Sequence, residues 1–297
     1  MLFNMKDLLA VARKHKFAVP AFNTGTILIL KSAIECCVAR NAPLILEIHP
    51  KELNNQGEWI AAACRKAANS VKIPVVIHLD HGATYEEVMQ AIRCGFTSVM
   101  IDYSDKPLEE NIAMTKKIVE IAHPLGVSVE AELGHMVCLE EGDYRETEKT
   151  TYVTSYTDPE EAADFVRKTG VDTLAVCFGQ AHGFYPEGFV AKFNLELLAK
   201  ISKATEIPLV MHGGSGTPQD IMDGAIQNGV CKVNLSADVK SAFYRKTLEV
   251  LSNDPDLREP FEIYVEPYKD MQAVMYSKIE SLHTADKMRL YYEKEPS

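Results

Sequence analysis

Short apolar, β-branched-rich runs alternate along the chain with longer segments whose apolar positions recur near i, i+3, i+4 and i+7. The first pattern marks strands and the second amphipathic helices. The runs are Phe17–Phe22, Pro43–Ile48, Pro74–Leu79, Ser98–Ile101, Val127–Leu133, Thr173–Phe178, Pro208–Met211 and Cys231–Leu235. Glu86–Gly95 and Glu109–His123 are typical of the helical segments. Asp158-Pro159-Glu160-Glu161 reads as a helix start, because aspartate accepts backbone N–H bonds and proline fits the first turn. Gly95, Gly126, Gly170 and Gly229 stand where helices should stop before the next strand. Strands buried on both faces and alternating with helices predict a parallel sheet, and eight such units predict a (β/α)₈ TIM barrel. A doubly wound open sheet is the rival, but it usually carries fewer strands, and no GxGxxG follows the first run. The expected organisation is one barrel domain over about 1–252, with a charged, aromatic, helical C-terminal extension over about 253–297 lying outside the barrel.

A barrel concentrates its chemistry at the C-terminal ends of its strands, and polar residues recur there strand by strand. Asn23 follows the first strand and His49 ends the second; Asp80-His81 end the third and Asp102 the fourth. Glu132 sits in the last turn of the fifth, His182 comes just after the sixth, His212 after the seventh, and Asn234 ends the eighth. His81, His182 and His212 therefore supply three imidazoles from three strands, the arrangement of a catalytic zinc ion with one open position. Histidine also accepts Co²⁺ or Mn²⁺. A lone strand histidine is more often a hydrogen-bonded core residue, so convergence on one rim carries the metal reading. His78 lies three residues before His81, and strand parity points the two to opposite faces if the strand stays regular. His15, His123, His135 and His283 fall in helices or loops and are assigned no chemistry.

Asp80, beside a proposed ligand, is suited to proton transfer or to orienting an imidazole. Asp102 and Glu132 fit a second metal position or hydrogen bonds to the ligands. His212-Gly-Gly-Ser-Gly216 after the seventh strand, and Lys232-Val-Asn-Leu-Ser-Ala237 after the eighth, occupy the positions where barrels commonly bind phosphate. Glycines let backbone N–H groups approach an anion, and a following helix N-terminus adds its dipole.

Composition narrows the partners. The 297 residues carry 31 Lys+Arg against 42 Asp+Glu, a net charge of −11, which disfavours nucleic acid and anionic membrane surfaces. No run reaches the roughly 18–20 apolar residues of a membrane span. The first residues lack a signal-peptide pattern. Seven cysteines without a CxxC pair read as reduced thiols of a cytoplasmic protein. The sum is a divalent-metal barrel acting on a small phosphorylated substrate.

Those motifs resemble the class II (zinc-dependent) fructose/tagatose-bisphosphate aldolase family. The resemblance runs from about Met1 to Ala242 through Pro20-Ala-Phe-Asn23, Ile77-His-Leu-Asp-His-Gly82, Pro107-Leu-Glu-Glu-Asn-Ile112, Val129-Glu-Ala-Glu-Leu-Gly134, Ala181-His-Gly183, His212-Gly-Gly-Ser-Gly216 and Lys232-Val-Asn234. It implies that His81, His182 and His212 bind Zn²⁺ and that Asp80 exchanges a proton with the C4 oxygen of a ketose phosphate. It implies that Gly183, Gly213, Gly214, Ser215 and the segment Asn234-Leu235-Ser236-Ala237 hold dihydroxyacetone phosphate, with Asn23 and His49 completing the substrate set. Glu140, on the loop after the fifth strand, matches the acidic residue that handles the carbon-bound proton. A zinc-stabilised enediolate, a homo-oligomer (dimer or tetramer) and a monovalent cation near Gly183 and Gly213 follow from the family alone. The chain departs from it at His49, where Ser or Thr is usual, and at Ala237 in place of Thr. The loop His135–Gly142 lacks the usual glycine pair, and Leu282–Lys287 replaces a Gly-Ser-Ala-Gly ending. These departures leave the aldehyde open, so that it is not necessarily glyceraldehyde 3-phosphate. The alternatives are another metal barrel enzyme, such as a zinc hydrolase, and a non-catalytic phosphosugar-binding relative.

Overall fold

The computed structural model describes residues 1–134, 155–181 and 191–292. Eight parallel strands close into a barrel in chain order: β1 (Val19–Asn23), β2 (Leu44–Ile48), β3 (Val75–Gly82), β4 (Ser98–Ile101), β5 (Ser128–Leu133), β6 (Thr173–Val176), β7 (Leu209–Met211) and β8 (Val230–Leu235). β8 returns to β1, pairing Lys232 with Val19 and Asn234 with Ala21. The predicted runs match these strands to within three residues at each end. Every strand residue is buried except His81, which is why the strands read as unbroken apolar runs.

Alternation divides each strand between two cores. Outward residues such as Leu44, Leu46, Ile48, Val75, Ile77 and Leu79 pack beneath the surrounding helices. The inward residues Val19, Ala21, Ile45, Val76 and Cys231 pack with helix Met5–His15, whose Met5, Leu8, Leu9 and Ala12 close the barrel's N-terminal mouth. That helix starts at Asn4, whose side chain accepts from the Asp7 N–H at 2.8 Å. Asp158 caps Pro159–Thr169 by accepting from the N–H groups of Glu160 and Glu161, and Gly170 ends it in the left-handed region, as the sequence predicts. Helix Val265–Ser281 lies outside the strands. Yet its Met271, Met275 and Ile279 are fully buried and belong to the same continuous core as the outward strand faces. No helix among the described residues is long and apolar enough to cross a membrane.

Candidate active site

Three strands begin the site by ordinary alternation. Glu47 on β2, His78 and Asp80 on β3, and Glu130 and Glu132 on β5 sit at inward positions above the apolar plug, all buried. His81 reaches the same rim by a different route. The β3–β4 register shifts between Leu79 and Gly82, and His81 takes φ 50°, a left-handed conformation rare for a residue with a Cβ. The regular-strand expectation for His78 is thus corrected: His78 lies inside on the regular pleat, and His81 joins it because the strand does not stay regular. Gly82 permits the irregularity, since a Cβ there would stand 2.5 Å from the Met100 carbonyl oxygen.

The two described histidines proposed as ligands, His81 and His212, are both held by carboxylates. His81 Nδ1 donates to Asp102 Oδ2 at 2.7 Å, and the other oxygen of Asp102 accepts from the N–H and hydroxyl of Ser104. His212 Nε2 donates to Glu130 Oε1 at 3.0 Å, and its Nδ1 lies 3.0 Å from Glu132 Oε2. The two rings meet edge to face, centroids 4.6 Å apart. Donor atoms of Asp80, His81 and His212 all lie within 4.8 Å of one another, and those of His81, Asp102 and Glu132 form a second such group. Carboxylates fixing the far nitrogen of imidazoles are the ordinary surroundings of metal-binding histidines. The donor set therefore fits a divalent cation, beside the carboxyl groups of Glu47, Asp80, Asp102, Glu130 and Glu132 and the buried Lys232.

Asp80 is clamped from both sides: Asn23 Nδ2 donates to Oδ2 at 2.9 Å and Asn234 Nδ2 to Oδ1 at 3.0 Å. Burial alone would raise its pKa, but His81, His212, Lys232 and the Asn23 hydrogen bond outweigh that and hold it well below the carboxylate range. Asp80 is therefore ionised. Burial opposes the charged forms of His81 and His212 as well. Asp80 and Asp102 nonetheless push His81 up to about 9, and Glu130 and Glu132 push His212 up to about 10.

His49 follows β2 and caps helix Pro50–Gln56, its Nδ1 accepting from the Lys51 N–H at 3.1 Å while its own N–H donates to Glu52. Its ring centroid lies 6.4 Å from that of His81, and burial lowers its pKa, which keeps it neutral. In the turn after β7, Gly213 has φ 65°. Gly214 donates its N–H to Asn234 O at 3.2 Å, and a Cβ there would meet Val233 at 2.2 Å. Gly214 thus serves close packing of β7 on β8. Ser215 Oγ accepts from the Asp238 N–H at 3.4 Å, in the first turn of helix Ala237–Asn253. Ser236 stands at the cap of that helix, while Leu235 and Ala237 are buried. His182, Gly183 and Glu140 lie outside the described residues. The structure brings Asn23, Asp80, His81, Asp102, Glu132, His212 and Asn234 together at one end of the barrel. Sequence reasoning missed Glu47, Glu130 and Ser104 there, and read Lys232 as the start of a phosphate-binding segment, whereas it is buried against Glu47 and Glu130.

A closed barrel with converging histidines and carboxylates at its C-terminal rim defines a metal-dependent barrel enzyme. The family model for class-II fructose-bisphosphate aldolase matches residues 3–287, so the chain belongs to that family and is a class II aldolase. Fructose-bisphosphate aldolases of Staphylococcus epidermidis and Staphylococcus aureus are each 34% identical over 293 residues, covering 97% of this chain and 99% of the relative. Among solved structures, the YdjI aldolase from Escherichia coli K12 superposes with TM-score 0.84 at 29% identity, covering 97% of this chain and 100% of that one. A fructose-1,6-bisphosphate aldolase homologue from Coccidioides immitis gives TM-score 0.84 at 27% identity, covering 96% and 98%.

Proposed function

We propose that this aldolase reversibly cleaves a ketose phosphate to dihydroxyacetone phosphate and an aldehyde, with His81, His182 and His212 holding a divalent ion, Zn²⁺ by ligand type. The observation that carries this reading is the pairing of each described histidine with a carboxylate while its donors converge with Asp80 within 4.8 Å. When bound, the ion supplies Lewis acidity to the ketose oxygens as negative charge develops on them. The chain's own groups do the rest. The ionised Asp80, held by Asn23 and Asn234, takes the proton of the C4 hydroxyl. The C3–C4 electron pair stays with C3, the aldehyde leaves with C4, and Glu140 returns a proton to C3. Gly183, Gly213, Ser215 and the first turn of helix Ala237–Asn253, entered through Asn234, Leu235, Ser236 and Ala237, bind the phosphate, with the helix dipole favouring the anion.

His49 bears on the aldehyde. With Nδ1 accepting from Lys51, the neutral ring carries its proton on Nε2, a donor suited to an oxygen of the aldehyde half. A cytoplasmic role in carbohydrate metabolism fits the acidic, thiol-bearing chain. The exposed Phe261 (71%) and Val265 (47%) support assembly into a homo-oligomer.

The test is proton exchange into dihydroxyacetone phosphate in D₂O, with and without a chelator, since this half-reaction needs the ion, the phosphate site and the carbon base but no aldehyde. Chelator-sensitive exchange is expected. A hydrolase using the same histidines would show none and would instead release inorganic phosphate or another hydrolysis product.

A further inference from the structure

Below the rim the barrel buries a lysine that the chemistry above leaves unused. Lys232, on β8, is fully buried, and its Nζ lies 2.8 Å from Glu47 Oε1 on β2 and 2.9 Å from both Glu130 oxygens on β5. The ammonium therefore ties together three strands spaced around the barrel. An apolar side chain would fill such an interior without the desolvation cost of a buried ammonium, so the geometry of its contacts is where its purpose is to be sought.

That geometry leads to a rim histidine. Glu130 Oε1 accepts from Lys232 Nζ and, on its other side, from His212 Nε2 at 3.0 Å. Because Lys232 grips both oxygens, the carboxylate plane of Glu130 is fixed, and with it the direction in which Oε1 meets the imidazole. The ring so held turns Nδ1 toward Glu132, and His212 presents a donor within 4.8 Å of those of Asp80 and His81. Glu47 holds the same ammonium from β2, and its donor lies within 4.8 Å of those of His78 and Asp80.

We propose that Lys232 is a positioning residue of the metal site, acting through Glu130 to set the ring of His212. The proposal rests on reading His81 and His212 as ligands, and the experiment separates the two. Metal-free protein prepared with a chelator is titrated with Co²⁺, following calorimetric affinity and the visible absorption of the bound ion, with thermal melts confirming that each variant is folded. Lys232→Met should weaken Co²⁺ about 10–100-fold, the range for groups that orient metal-binding imidazoles, and should change the absorption band. Leu8→Ala, which disturbs the buried plug at the opposite mouth of the barrel, should leave affinity within about threefold. If Lys232→Met does not fold, Glu130→Gln replaces it: the shape is kept, the anion gripped by the ammonium is lost, and the same weakening is expected. Wild-type affinity and absorption in folded Lys232→Met, with Co²⁺ lost in His212→Ala, would overturn the role of Lys232 alone. Equal weakening by Leu8→Ala would also overturn it, as a general effect of disturbing the core. Retention of Co²⁺ by both His81→Ala and His212→Ala would overturn the ligand reading itself.

Discussion

The two mouths of this barrel are built from the same eight strands and could hardly differ more. At the N-terminal end, Val19, Ala21, Ile45, Val76 and Cys231 meet Met5, Leu8, Leu9 and Ala12 in a dry plug, and Tyr291 ties down the plugging helix by donating to Leu8 O at 3.0 Å. Two to four residues further along the same strands, Asn23, Glu47, His78, Asp80 and Asn234 form a polar interior in which both asparagines donate to Asp80. The difference teaches a division of labour. Hydrophobic burial at one end stabilises the scaffold, which lets the other end hold charges in contacts chosen for chemistry rather than stability. Substitutions at the two ends should therefore fail in different ways.

The largest failure is expected at the rim. His212→Ala removes a proposed ligand and should abolish metal binding. Lewis-acid stabilisation is worth several kcal/mol, so cleavage should fall by on the order of a thousandfold or more. Metal content of the purified variant and its kcat check this together, and a fully loaded, active His212→Ala would erase the distinction between the two ends. Next in size is Asp80→Ala, which should keep the ion yet lose about 10²–10⁴-fold in kcat, the contribution of a positioned acid or base. Normal cleavage by Asp80→Ala would reduce the Asn23–Asp80–Asn234 contacts to a structural bridge.

Sequence made the plug and the strand order legible because burial on both faces writes itself as continuous apolar runs, and because caps such as Asp158 and stops such as Gly170 have local chemistry. The rim positions were legible for a related reason: a polar residue ending an apolar run has one place to be. The layer beneath was not. Glu47, Glu130 and Lys232 are charges set inside largely apolar strands, and only the closed barrel shows that they neutralise one another across β2, β5 and β8. The signal available was that a charge flanked by residues buried on both faces requires a counter-charge. The β3 irregularity hid behind a plain Gly82, so parity misassigned the faces of His78 and His81. Asn23 and Asn234 were read as substrate contacts, and the structure adds that each donates through Nδ2 to Asp80.

The same comparison predicts a large effect on stability with no effect on chemistry. Leu8 is fully buried in the plug, far down the strands from Asp80. Leu8→Ala should cost about 2–5 kcal/mol through lost burial and a residual cavity, measured by denaturant unfolding. Its kcat/KM, assayed where the variant is folded, should match wild type. A large loss of activity in the folded variant would mean that the plug transmits strain to the rim, and that the two ends are not independent.

The smallest effect is the most informative about the substrate. His49 belongs to the rim by position but to the scaffold by its capping of helix Pro50–Gln56, so it tests where the two functions meet. His49→Ser retains a side-chain oxygen able to cap the helix while deleting the Nε2–H donor. Stability should change little. Discrimination between aldehydes should shift by about tenfold, the consequence of one lost hydrogen bond of about 1–1.5 kcal/mol, while proton exchange on dihydroxyacetone phosphate continues at its original rate. Competition between paired aldehydes in the condensation direction measures the shift directly. If exchange falls in parallel with condensation, His49 supports the metal and Asp80 rather than the aldehyde. If neither changes, the imidazole is only a cap, and the choice of aldehyde is made by other residues.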